Sequence, residues 1–233
     1  MVAFDGPNNG AIHEIEAIGL LLPADLEFAF QIFFSEPAQI GEILGRLIMP
    51  LHILEKYSNF DYAFKSATSL TSQQLVTIGE LWRLYKDMPE EFSFVTKAID
   101  SFSDLRRVPV QSSLSVVGIF SIIESLTTHA PRSTENLDSI THQITNKIIL
   151  LRKQYTRPVA PDQYFRSSTE ETIWKKLYGY RSKIAHGSLA NFNTDYQVLR
   201  DHGAVAQFLR DNVKELIILA LRNPEFMSDL RRC

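Results

Sequence analysis

Cysteine is almost missing from this sequence: one occurs among 233 residues, at position 233. An internal disulfide is therefore excluded, and neither a cysteine-based metal site nor a catalytic thiol is expected. Scarce cysteine suits a reducing compartment, so a cytoplasmic location is the expectation. Long hydrophobic runs are missing too. The most apolar stretch, LSVVGIFSII (114–123), is closed by Glu124 and is about half the ~20 residues a membrane span needs. It reads as a buried helix, and no membrane association is expected. The opening MVAFDGPNNG has no basic segment followed by an apolar core, so no secretory signal is expected. There is no Gly-rich phosphate loop, no HExxH, no nucleophile elbow and no Cys/His cluster. His13, His52, His129, His142 and His202 are scattered without ligand spacing. Neither a metal nor a cofactor is expected.

What is present describes a globular chain. Hydrophobic residues make up 45% and charged residues 22%, which excludes a disordered or collagen-like protein and suffices for one large domain or two small ones. The net charge of −3 conceals an asymmetry. Residues 1–100 carry 6 Lys/Arg against 14 Asp/Glu, and residues 101–233 carry 18 against 13. A basic second half is compatible with phosphate or nucleic-acid binding. It is equally compatible with two halves that attract each other, or with solvated charge.

The expected fold is mainly α, with two parts. Residues 1–90 read as a smaller mixed region of unknown role, containing a short β-hairpin and helices. In LEFAFQIFF (26–34) the apolar residues Leu26, Phe28, Phe30, Ile32 and Phe34 alternate, as in a strand with one buried face. IHEIEAIGLLL (12–22) is its expected hairpin partner, with Pro23–Asp25 as the turn. Helices are expected over 37–48 and 71–88, the second opened by Thr71 and Gln74 in capping-box spacing. Residues 91–233 read as a helical bundle, with helices near 91–107, 109–128, 134–155, 169–186 and 203–222. Pro109 is the expected start of the second of these. Ser168 with Glu171 is the expected capping box of the fourth, and Gly187 its C′ residue.

That fourth helix ends in LYGYRSKIAHGS (177–188), which sets Arg181 and His186 close together. Spacing alone decides nothing. About one Arg followed by His at this separation is expected by chance, and a second pair, Arg46 and His52, has Pro50 between its members. Context is more informative. On an ideal wheel Ile173, Leu177, Tyr180 and Ile184 form the core stripe, and Arg181 lies at its edge beside Trp174. His186 lies about 140° away from Arg181, on a face with Gly179 and Ser182. A charge at the core edge wants a partner. Glu124 falls within or beside the apolar arc of its own helix and is the candidate, with Arg152 as the alternative basic neighbour for Glu124. His186 at a helix end is also the ordinary favoured place for a histidine.

The same stretch resembles the signature of the Apea-like branch of HEPN domains, Tyr-x-x-Arg-Ser-x-x-x-His-Gly. Tyr178, Arg181, Ser182, His186 and Gly187 match it in order. AIDSFSDLRR (98–107) and GIFSIIESLTT (118–128) resemble the family's two leading helices, including a glutamate at Glu124, and residues 199–221 resemble its closing helix. The resemblance covers roughly residues 91–225. It implies an all-α bundle that dimerises through the 169–186 helix, so that two Arg–His helices share a groove. It implies RNA as partner and a metal-independent endoribonuclease, acting in stress or phage defence as part of toxin–antitoxin or abortive-infection systems, where a protein antitoxin restrains the toxin. His186 would move a proton between the 2′-hydroxyl and the leaving 5′ oxygen, and Arg181 would steady the phosphorane. Tyr178, Ser182, Glu124 and Gly187 are the implied supporting residues. Many active members carry Asn, Asp or His after the arginine, whereas the Apea-like branch has Ser, as here. A non-catalytic HEPN module binding RNA, nucleotide or a protein is the other reading that the resemblance allows.

Overall fold

The structure is a computed structural model that describes residues 9–23, 31–34, 45–48, 70–109, 111–129 and 140–232. The described residues are mainly helical. Their helices are α1 (Asn9–Gly19), α2 (Ser72–Lys86), α3 (Ser93–Asp104), α4 (Ser113–Thr127), α5 (Ile140–Leu151), α6 (Glu170–Ala185), α7 (His202–Arg222) and α8 (Pro224–Arg232). Gln31–Phe34 (β1) and Gly45–Ile48 (β2) pair antiparallel along the backbone.

α4 and α7 lie against each other at the centre. α3, α5 and α6 pack on α4; α2 and α3 pack on α7; α8 closes across both α4 and α7. Trp174, Phe102, Phe120 and Phe208 are among the largest fully buried side chains, each contributing about 1.5–3 kcal/mol of burial free energy. Phe208 is the hub of an aromatic cluster, with ring centroids 4.8 Å from Phe165, 5.3 Å from Tyr164 and 5.6 Å from Trp174. Gly118 allows close packing of Leu105 on α4, because a Cβ there would overlap the Leu105 side chain. Residues on both sides of position 90 share one buried cluster, since Ala17, Ile18, Leu20, Leu21, Leu22, Ile78 and Leu81 belong to it.

Helix ends follow local chemistry. Thr71 and Gln74 form the expected capping box, each side chain taking a backbone N–H of the other. α4 starts not at Pro109 but behind Ser112, whose side chain accepts from Leu114 N–H. α6 is capped by Thr169, not by the expected Ser168–Glu171 box: Thr169 Oγ1 accepts from Thr172 N–H at 3.2 Å. Asp201 caps α7 through Ala204 N–H at 2.8 Å.

The expected hairpin is corrected in its first half. Residues 9–19 are helical, and Ala11, Ile15 and Ile18 keep i, i+4, i+7 spacing on the buried side. In IHEIEAI the isoleucines recur every third residue, at 12, 15 and 18, which suits a helix and not a strand. Of the expected strand 26–34, only Gln31–Phe34 is described. Within the expected helix 37–48, residues 45–48 are extended and 37–44 lie outside the described residues. The segments 49–69 and 130–139 also lie outside them. No helix of the described residues is long and apolar enough to cross a membrane.

Candidate functional site on helix α6

The end of α6 is built by its sequence. His186 is the C-cap residue, and Gly187 follows at φ +71°. Gly187 N–H donates to Ile184 O at 3.0 Å and Ser188 N–H to Lys183 O at 3.0 Å. That pair of bonds is the Schellman arrangement, which needs a left-handed residue at the position Gly187 occupies. The chain therefore turns sharply beside His186 and leaves its side chain exposed. No side-chain hydrogen bond joins His186 to another described residue.

Arg181, one turn earlier, is held. Its Nη2 lies 3.3 Å from both carboxylate oxygens of Glu124 on α4. The guanidinium also sits 5.7 Å from the Tyr178 ring centroid, and that ring meets Phe120 edge-on at 6.1 Å. Arg181 is thus sandwiched between a carboxylate and an aromatic face, both supplied by the α4–α6 contact. The side chains remain 25% exposed for Arg181 and 20% for Glu124, which makes this a half-buried pair and not a fully desolvated one. Burial pushes the Glu124 carboxyl above its ordinary 4.5, and the Arg181 charge only partly opposes it. Arg181 Nε is buried without a hydrogen-bond partner among the described residues. Arg152, the alternative partner for Glu124, is engaged elsewhere: its Nη1 lies 2.6 Å from Glu170.

The sequence motif thus separates into two environments. Tyr178, Arg181 and Glu124 come together at the α4–α6 contact. Ser182, His186 and Gly187 lie along the outer side and end of α6. Among the described residues no hydrogen bond or ion pair joins Arg181 to His186.

The face carrying Gly179 is not bare. The segment 188–199 runs back along α6, and a Cβ on Gly179 would lie 3.7 Å from the Tyr196 hydroxyl. Lys176 Nζ donates to Asp195 O at 2.8 Å, and Lys183 Nζ lies 3.1 Å from Asp195 Oδ2. Sequence reasoning missed these residues, because nothing local pairs position 195 with 176 and 183. It also missed a polar anchor on α7. Arg157 reaches Asp211 at 3.4 Å and Glu215 at 3.3 Å, while Tyr164 donates to Asp211 at 2.8 Å. Burial and the Asp211 carboxylate push the Tyr164 hydroxyl up to about 12. In the sequence Asp211 and Glu215 stand one turn apart, just before the apolar run 216–221.

A groove of about 160 Å³ lies between α5 and α6, lined by Thr141, His142, Thr145, Asn146, Glu171 and Lys175. It does not include Arg181 or His186. Among the described residues, no group of three or more His, Cys, Asp or Glu side chains is placed to hold a metal ion.

Comparison with known proteins returns nothing to lean on: no family model, no curated protein and no solved structure matches this chain.

Proposed function

We propose that the chain is an Apea-like HEPN protein that binds RNA and cleaves it without a metal, as a homodimer paired through α6 and its capping residue. The observation that carries this reading is an exposed His186 at the end of the helix that also holds a fixed, still partly exposed Arg181. Histidine has an ordinary pKa of about 6.5 and can both accept and donate a proton near neutrality. Arginine stays charged and stabilises an equatorial phosphate oxygen as negative charge builds on it. The 2′-hydroxyl is the nucleophile: it attacks phosphorus, its proton goes to the base, and the 5′ oxygen leaves with a proton from the acid. DNA lacks that hydroxyl and would not be cut by this route. The two side chains point to different sides of one helix, so a shared site calls for His186 of one subunit beside Arg181 of the other. A role in stress or phage defence, with a protein antitoxin as restraint, belongs to the same reading.

The test is incubation of the purified protein with labelled RNA in EDTA, wild type beside His186→Ala. Cleavage that survives EDTA and disappears in the variant supports the reading. Loss with EDTA and rescue by Mg²⁺ overturns the mechanism. Light scattering at micromolar concentration tests the dimer, and a monomer overturns the composite site.

A second reading is favoured by the Glu124–Arg181 contact itself. There Arg181 is a structural partner, and the module binds RNA, a nucleotide or a protein without cleaving. RNA binding with no cleavage in any metal condition selects it.

A further inference from the structure

Lys176 and Lys183 stand two turns apart on one side of α6, and both converge on a single residue. Lys176 donates to the Asp195 carbonyl and Lys183 pairs with the Asp195 carboxylate. The same two ammonium groups flank the Tyr196 ring at 5.9 and 5.8 Å from its centroid. Tyr196 is buried. It meets Tyr180 edge-on at 5.6 Å and Phe192 at a tilt at 6.3 Å, and Tyr180 shares a 2.7 Å hydrogen bond with His202. The segment is therefore pinned firmly at Tyr196 and Leu199, both buried, while Asn193, Thr194 and Asp195 are exposed. The Lys183–Asp195 contact is solvated, with side chains 32% and 57% exposed. A contact of this kind holds weakly and yields to a competing anion.

We propose that Asp195 is an internal stand-in for an RNA phosphate: it occupies the Lys176–Lys183 pair and holds the exposed part of 188–195 down on α6. A phosphodiester carries the same charge and offers two free oxygens to the two ammonium groups. Its arrival displaces Asp195 from Lys183. The inference rests on the RNA reading above and adds to it a specific phosphate subsite and a contact that masks it. Arg166 N–H donates to Val198 O at 3.0 Å and Arg200 Nη1 to Tyr164 O at 3.1 Å. Arg166 and Arg200 are both exposed at that end of the segment.

The experiment uses the full chain, and binding of a 12-nucleotide single-stranded RNA is read by anisotropy. Asp195→Asn should bind about two- to fivefold more tightly, and Lys176→Gln with Lys183→Gln should bind more weakly than wild type. RNA bound equally by wild type and Asp195→Asn overturns the phosphate subsite while sparing the RNA reading. RNA bound by neither overturns both.

Discussion

The Arg106–Glu16 and Arg181–Glu124 pairs both tie helices together, and they differ in length, exposure and bracing. Arg106 and Glu16 join α1 to the end of α3 at 2.7 Å, with side chains only 13% and 3% exposed. Arg106 is also braced by Ser103, through its carbonyl and its hydroxyl, each at 3.2 Å. Arg181 and Glu124 are 3.3 Å apart and 25% and 20% exposed, with an aromatic ring as the second support. A short, desolvated, braced pair fastens structure, and removing one partner strands a buried charge. A longer pair at a partly open contact holds a guanidinium in place and leaves it within reach of solvent. Lys214 strengthens the first region further: it is 1% exposed and donates to Leu22 O at 2.7 Å, just past the end of α1.

The comparison breaks first at Glu16. Glu16→Ala should destabilise by about 3–5 kcal/mol, the range for a buried charge left alone, in chemical denaturation monitored by circular dichroism. A loss below about 1 kcal/mol would place this pair with ordinary surface pairs. Glu124→Ala should cost less, about 1–2 kcal/mol, between the surface and the buried ranges. Equal losses at the two sites would erase the distinction.

A pH series sharpens it. The Glu124 carboxyl titrates above its ordinary 4.5 in the folded protein because burial outweighs the pull of Arg181. A raised carboxyl contributes stability below the unfolded value and loses it as pH rises through the folded value. Wild type should therefore lose stability relative to Glu124→Gln as pH climbs from about 4 to about 7, in paired thermal melts. The opposite trend would mean that Arg181 dominates.

Smaller effects belong to the end of α6. Gly187→Ala should cost about 1 kcal/mol, because a side chain at φ +71° is strained, and the turn that presents His186 should loosen. His186→Ala should change stability by no more than about 0.5 kcal/mol, as for an exposed position, and should remove any RNA cleavage. A melt as low as that of Glu124→Ala, with cleavage intact, would make His186 a packing residue.

The helical periodicity of α2 through α7, the Thr71 capping box and the Gly187 turn were legible in the sequence. They rest on interactions within about four residues, where spacing, caps and glycine conformation carry the information. Glu124 was legible as a carboxylate out of place, and Arg181 as a charge at a core edge. α1 was expected as a strand only because it precedes the alternating stretch 26–34; in the structure it is a helix packed against α2 and α3.

By itself the sequence determined where α2 to α7 run, where α6 stops, and that Arg181 and His186 leave it on different sides. Only the tertiary structure decided that Glu124 takes Arg181 while Arg152 takes Glu170, how far Glu16 and Arg106 are withdrawn from water, and that Asp195 closes over Lys176 and Lys183. Such partners are separated by 12 to 90 residues. Their choice depends on which helix faces meet and how much solvent remains between them, and no local pattern encodes either.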